Sequence, residues 1–109
     1  MEKMNETLKT IFKRKSVRDF SGEKVERETL ELLVRAGMAA PTAVDKRPWH
    51  FLIIDDQSLL KRLGEKLHNA RLTERVYAAI MVSGDLEKQH RGPDADFWLV
   101  DCAAATENI

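Results

Sequence analysis

The run Trp49-His50-Phe51-Leu52-Ile53-Ile54-Asp55 decides how this chain folds. It is short, almost continuously apolar and rich in branched side chains, which is the pattern of a strand covered on both faces. Its polar exit, Asp56-Gln57-Ser58, opens a helix over Leu59, Leu60, Leu63 and Leu67, and the acidic pair Asp55-Asp56 suits a positive helix terminus. Gly64 falls inside that helix, where glycine costs ~1 kcal/mol relative to alanine. Upstream, Pro41-Thr42-Ala43-Val44-Asp45-Lys46-Arg47-Pro48 is a loop with two prolines and, Val44 apart, little apolar content. Downstream, residues 76–83 (Val-Tyr-Ala-Ala-Ile-Met-Val-Ser) read as a second buried strand, closed by Gly84-Asp85.

Helical segments surround the two strands. Asn5 is placed to cap a first helix whose Leu8, Ile11 and Phe12 share one buried face. After a turn at Ser21-Gly22, residues 23–39 read as a second helix, with Val25, Leu30, Leu33, Val34 and Met38 as its apolar stripe. Glu26, Arg27, Glu28, Glu31 and Arg35 face water, and Pro41 stops the helix. Residues 68–75 are polar and show no periodicity. The last helix starts at Asp94 or Ala95 with Asp94 as its cap and carries Phe97, Leu99, Val100, Cys102, Ala103-Ala104-Ala105 and Ile109. Its small residues let a helix or a ligand come close, and core packing would use the same residues. That helix is still apolar and uncapped at Asn108-Ile109, and two strands make a poor free-standing sheet. The expectation is that residues 1–109 are the amino-terminal part of a single domain completed by further sequence.

Composition narrows the class. With 109 residues, 43% hydrophobic and 33% charged, the chain has the make-up of one globular domain, not of a disordered segment. Lys+Arg and Asp+Glu balance at 18 each, and aromatic residues do not interleave with the basic ones, so nucleic acid is not indicated as a partner. No apolar run is long enough to span a bilayer, and the start of the chain lacks the apolar core of a secretory signal, so no membrane partner is expected and a cytoplasmic location is the default. The single cysteine, Cys102, has no His or Cys at metal-ligand spacing and reads as a small buried helix residue; no metal site is expected. His50 reads as a hydrogen-bonded histidine of a buried strand, and His68 and His90 as solvated. Trp49 reads as a core anchor for the loop, and Trp98 as a core or dimer contact.

One short stretch concentrates charge. Lys13-Arg14-Lys15-Ser16-Val17-Arg18 holds four cations and a hydroxyl in six residues. Guanidinium and ammonium groups make charge-assisted hydrogen bonds to phosphate, and the planar fork of Arg matches paired oxygens. The cluster therefore fits a phosphomonoester, as on a nucleotide or flavin. Basic residues in the last turn of a helix also complement its dipole without any ligand, and a generic anion site is a third reading.

Three stretches, taken together, resemble the FMN-dependent nitroreductase family. Arg14-Lys15-Ser16-Val17-Arg18-Asp19-Phe20 is similar to its amino-terminal R-(R/H/K)-S-x-(R/K)-x-(F/Y) signature. Ala40-Pro41-Thr42-Ala43-Val44-Asp45-Lys46-Arg47-Pro48-Trp49-His50-Phe51 resembles its A-P-(S/T)-(A/S)-x-N-x-Q-P-W-x-F loop and strand. The helix from Phe97 to Ile109 resembles its D-x-(S/A)-A-A-x-(E/Q)-N segment. The resemblance implies an α+β three-layer fold, a mixed central sheet flanked by helices, of which this chain would hold about the first three-fifths.

By the same resemblance, Arg14, Lys15, Ser16 and Arg18 bind the phosphate, ribityl chain and pyrimidine edge of FMN. Pro41, Thr42 and Ala43 lie against the isoalloxazine of the neighbouring subunit in a homodimer. The family usually has Asn where this chain has Asp45 and Gln where it has Arg47. A carboxylate only accepts hydrogen bonds, so Asp45 has either lost a flavin contact or pairs with Arg47 or Lys46. The implied activity passes hydride from NAD(P)H through flavin to a nitroaromatic, quinone or similar small-molecule acceptor, with no side-chain acid or base nominated as catalytic. The alternative is a truncated, non-catalytic relative acting as a flavin-binding or dimerising module.

Overall fold

The computed structural model describes residues 3–70, 72 and 75–109. Met1, Glu2 and, within the polar stretch 68–75, Arg71, Thr73 and Glu74 lie outside the described residues. The elements run α1 (Glu6–Lys13), α2 (Arg27–Met38), a 3-10 turn (Ala43–Asp45), β1 (Trp49–Ile54), α3 (Gln57–Lys66), β2 (Ala79–Gly84) and α4 (Trp98–Asn108). The architecture is α+β. Among the described residues the central sheet is the single antiparallel pair β1–β2, in register Trp49↔Gly84 through Ile54↔Ala79.

Both strand readings stand, with two corrections. β1 alternates along its length: Trp49, Phe51 and Ile53 are half-buried, while His50 and Leu52 are exposed. The helix α4 packs on both strands and α2 packs on α4, which covers one face of the pair and leaves Leu52 opposite Met81 on the other. An antiparallel pair can face water on one side, and a continuous apolar run cannot reveal that from sequence. His50 is consequently not a buried histidine; its imidazole sits on the open face, 3.7 Å from Asp85. β2 begins three residues later than expected because the Tyr77 carbonyl accepts a 2.6 Å hydrogen bond from Gln57 Nε2, which draws residues 76–78 toward the start of α3.

The helices follow their caps. Asn5 Oδ1 accepts from the Leu8 amide at 2.9 Å, as expected for α1. The apolar face of α1 is not buried, however: Ile11 is 59% and Phe12 72% exposed, and no α1 residue is buried. α2 starts at Arg27 and not Glu23, because the Ser21 hydroxyl takes the Glu23 amide into a local turn and Glu26 stays extended. Leu30 anchors α2 in the core, while Met38 at its end is exposed. α4 starts at Trp98. Asp94 is not its cap, since residues 92–95 close a turn through Gly92 N–H to Ala95 O and the Arg91–Asp96 bridge. The buried Gln89 takes that role instead, its side-chain oxygen accepting from the Trp98 amide at 3.0 Å. At the far end of α4, Asn108 Nδ2 donates to the Ala36 carbonyl and ties it to α2.

The core comprises Leu30, Ala40, Pro48, Ile54, Leu60, Val76, Cys102 and Ala105. Cys102 is buried as expected; burial, and next the Asp101 charge, push its thiol up, which disfavours a reactive thiolate. In α3, Leu60 is the residue that packs inside, with Leu59 and Leu67 more exposed than their spacing suggests. Gly64 has a steric reason, because a Cβ there would run into the Leu72 carbonyl oxygen. Trp49 is half-buried with its ring 5.2 Å from Phe51, as expected of an anchor for the loop.

Asp56 caps α3 through Oδ1, which accepts from the amides of Ser58 and Leu59 and from the Ser58 hydroxyl. The hydroxyl above all, then the two amides, lowers its pKa from the usual 3.8. A lowered carboxyl pKa adds stability that is fully present above pH 3.8 and is lost as pH falls through the folded value. Acid titration followed by circular dichroism should therefore show Asp56→Asn losing less stability than the wild type between pH 4 and pH 2, roughly the span of such titrations.

Candidate functional site

Two stretches carry the polar chemistry. The first leaves the end of α1. Lys13 is the last helical residue and Arg14 the cap, with extended backbone at φ −54°, ψ 130°. The helix dipole therefore reaches Lys13 and Arg14, whereas Lys15, Ser16 and Arg18 lie beyond it in irregular chain. All five are exposed. Among the described residues none of the four cations has an acidic partner, although Lys9, Lys24, Arg27, Arg47 and Arg75 each have one. The stretch is tethered just downstream, where Arg75 Nη1 donates to Asp19 Oδ1 at 3.3 Å.

The second stretch joins α2 to β1. Three of its non-glycine residues have left-handed backbone: Val44 (φ 54°), Asp45 (φ 52°) and Arg47 (φ 50°). Asp tolerates that region, as Asn does, but a β-branched Val does not. Such residues cost of order 1–3 kcal/mol each and persist only where the surroundings over-determine them. Here the surroundings are explicit. The Asp45 amide donates to the Thr42 carbonyl, the Lys46 amide to the Ala43 carbonyl, and the Arg47 amide to Thr42 Oγ1 at 3.0 Å. Arg47 also forks onto Asp45, Nε to Oδ1 at 2.8 Å and Nη2 to Oδ2 at 3.2 Å. Of the two partners left open from sequence, Arg47 is the one Asp45 takes. That hydrogen bond first, and the guanidinium charge second, lowers the carboxyl pKa of Asp45.

The loop is held to the core by Asp101, a residue of the third motif to which sequence reading assigned no role. Asp101, on α4, is 3% exposed, and its Oδ1 accepts from the Ala43 amide at 2.9 Å across 58 residues of sequence. Oδ2 is buried and has no hydrogen-bond partner among the described residues. The available signal was a carboxylate among Trp98, Leu99, Val100, Cys102 and three alanines, in the apolar part of the helix.

The structure thus groups Thr42, Ala43 and Asp45 in one ordered loop and leaves Arg14, Lys15, Ser16 and Arg18 in a separate exposed stretch. No hydrogen bond or ion pair joins the two groups among the described residues. The donor set on the first stretch suits a phosphate dianion, with cations and a hydroxyl that have no partner among the described residues.

The Nitroreductase family profile matches residues 11–108, which span both stretches and all of β1, β2 and α4. The chain belongs to the nitroreductase family. It is 39% identical over 106 residues to an Archaeoglobus fulgidus protein provisionally named NADH dehydrogenase/NAD(P)H nitroreductase, covering 97% of this chain and 60% of that one. It superposes with TM-score 0.82 on a similarly named crystal structure from Parabacteroides distasonis, at 44% identity over 96% of this chain and 60% of that one. A Bacteroides fragilis nitroreductase solved with bound FMN matches with TM-score 0.73 and 26% identity, over 96% of this chain and 62% of that one. The chain therefore spans about three-fifths of the length of these nitroreductases. The likeness also establishes the nitroreductase-like fold. No helix among the described residues is long and apolar enough to cross a membrane.

Proposed function

We propose that the chain supplies the flavin-phosphate grip and a flavin-facing loop of an FMN-dependent oxidoreductase, working as a cytoplasmic homodimer. The observation that carries this reading is the set of exposed cations at Lys13, Arg14, Lys15 and Arg18 that no acidic group among the described residues neutralises. Bound FMN would accept hydride from NAD(P)H and reduce a nitroaromatic, quinone or similar acceptor. Arg14, Lys15, Ser16 and Arg18 hold the phosphate, ribityl chain and pyrimidine edge. Pro41, Thr42, Ala43 and Asp45 lie against the ring from the partner subunit. Within that loop the Ala43 amide is already committed to Asp101, while the Thr42 hydroxyl is a donor that remains, since its oxygen accepts from Arg47 and its proton stays available. Asp45 acts through its fork with Arg47, presenting a neutral pair in place of an amide. The exposed apolar face of α1, Leu8, Ile11 and Phe12, supports a dimer, since a contiguous apolar stripe marks a surface suited to a protein contact.

The Asp45–Arg47 fork also favours a second reading, a flavin-binding or dimerising module without turnover. Steady-state oxidation of NAD(P)H by the FMN-loaded chain with a quinone acceptor separates the two. Flavin-dependent turnover is the result expected here, and a loaded chain that turns over no faster than free FMN would leave only the module.

A further inference from the structure

We propose that Asp101 is a positioning residue that holds residues 42–47 in their left-handed conformation, and so sets the surface this loop offers to the flavin; the last clause rests on the flavin reading above. A loop with three left-handed non-glycine residues does not keep its shape by local bonds alone, because each such residue relaxes readily toward the ordinary regions. Its internal bonds, Asp45 N–H to Thr42 O, Lys46 N–H to Ala43 O, Arg47 N–H to Thr42 Oγ1 and the Arg47–Asp45 fork, join loop residues only to one another. Among the described residues, the one hydrogen bond from residues 42–47 to the body of the protein is Ala43 N–H to Asp101 Oδ1, at 2.9 Å.

The carboxylate is well built for that task. It sits on α4 between Val100 and Cys102, 3% exposed, on the same buried side as Ala105. A buried hydrogen bond to a charged acceptor is stronger than a neutral one, and leaving such an acceptor unpaired is costly, so loop and helix are coupled. Oδ2 has no hydrogen-bond partner among the described residues, so among them the carboxylate's hydrogen bond is the one to Ala43. A core aspartate kept for helix stability alone would not need to face a loop amide 58 residues away.

The test removes the bond from either side. Asp101→Ala deletes the acceptor and Asp101→Asn retains an acceptor oxygen. Ala43→Pro deletes the donor without touching α4, at a position that opens a 3-10 turn after an extended Thr42, where proline is tolerated. Amide exchange at Asp45 and Arg47 and FMN affinity by flavin fluorescence are measured on the whole chain. Exchange should rise roughly tenfold to a hundredfold in Asp101→Ala and Ala43→Pro and stay within about threefold of wild type in Asp101→Asn. FMN affinity should fall in the same order. Wild-type exchange in Ala43→Pro overturns the proposal, even if Asp101→Ala fails to fold. Raised exchange with FMN affinity unchanged in both variants overturns the positioning role. If the wild type takes up no FMN, the flavin reading fails, while the exchange rates still decide whether Asp101 holds the loop.

Discussion

Replacing Arg14 and Arg18 together by alanine should lower the affinity of the chain for FMN by about a hundredfold or more while leaving its stability almost unchanged. Charge-assisted hydrogen bonds to phosphate contribute roughly 1.5–3 kcal/mol each, and tenfold in affinity corresponds to about 1.4 kcal/mol. Stability should hold because both side chains are exposed and neither is ion-paired among the described residues, and such surface substitutions stay within about 0.5 kcal/mol. Flavin fluorescence titration gives the first quantity and urea unfolding the second. An unchanged FMN affinity would reduce the cluster to a generic anion site. A large loss of stability would mean that the arginines serve the fold.

Gly84→Val should be the most destabilising single substitution on the sheet. A Cβ at Gly84 would lie 2.6 Å from Trp98 Cε3 and 3.1 Å from Cδ2. The indole cannot easily retreat, because Trp98 is the first residue of α4 and its amide is fixed by Gln89. Strand propensity favours Val over Gly by up to ~1 kcal/mol, so propensity and packing predict opposite signs. Overpacking of a rigid contact costs ~1–3 kcal/mol and at times more, and here α4 must shift off both strands. A fall in the urea midpoint corresponding to about 3 kcal/mol is expected. A midpoint at or above that of the wild type would show that α4 does not press on the sheet at this point.

Much of this architecture was legible in the residues, and the misses have physical causes. Asn5 and Asp56 announced α1 and α3 because a side-chain cap is a local interaction. Asp94 failed as the cap of α4 because the true acceptor, Gln89, reaches the helix from outside it. The apolar runs located β1 and β2, but whether a strand is covered on one face or two depends on which helices pack there, and that is not a property of the run. The spacing of Leu8, Ile11 and Phe12 gave a helix face, while its burial depends on what packs against it, and among the described residues nothing buries it.

The candidate site divides along the same line. The basic cluster could be read directly because charge density is a local property. The departure at Asp45 and Arg47 was visible as a change of residue type, but opposite charge alone left Lys46 and Arg47 both open as partners of Asp45, and the fold selects Arg47. The left-handed backbone at Val44 was not visible, since no glycine marks it. Asp101 was missed as a support because its partner is 58 residues away and its own neighbourhood reads as an ordinary small-residue helix.

The central claim is that the cations at Lys13–Arg18 exist to grip a phosphate carried by a flavin. The most direct measurement is a pair of titrations, FMN against riboflavin, on the same preparation, since the two ligands share the ring and ribityl chain and differ only in the phosphate. Binding of FMN at least about a hundredfold tighter than riboflavin, with the gap narrowing as salt is raised, is the predicted result. Equal affinities for the two would contradict the account.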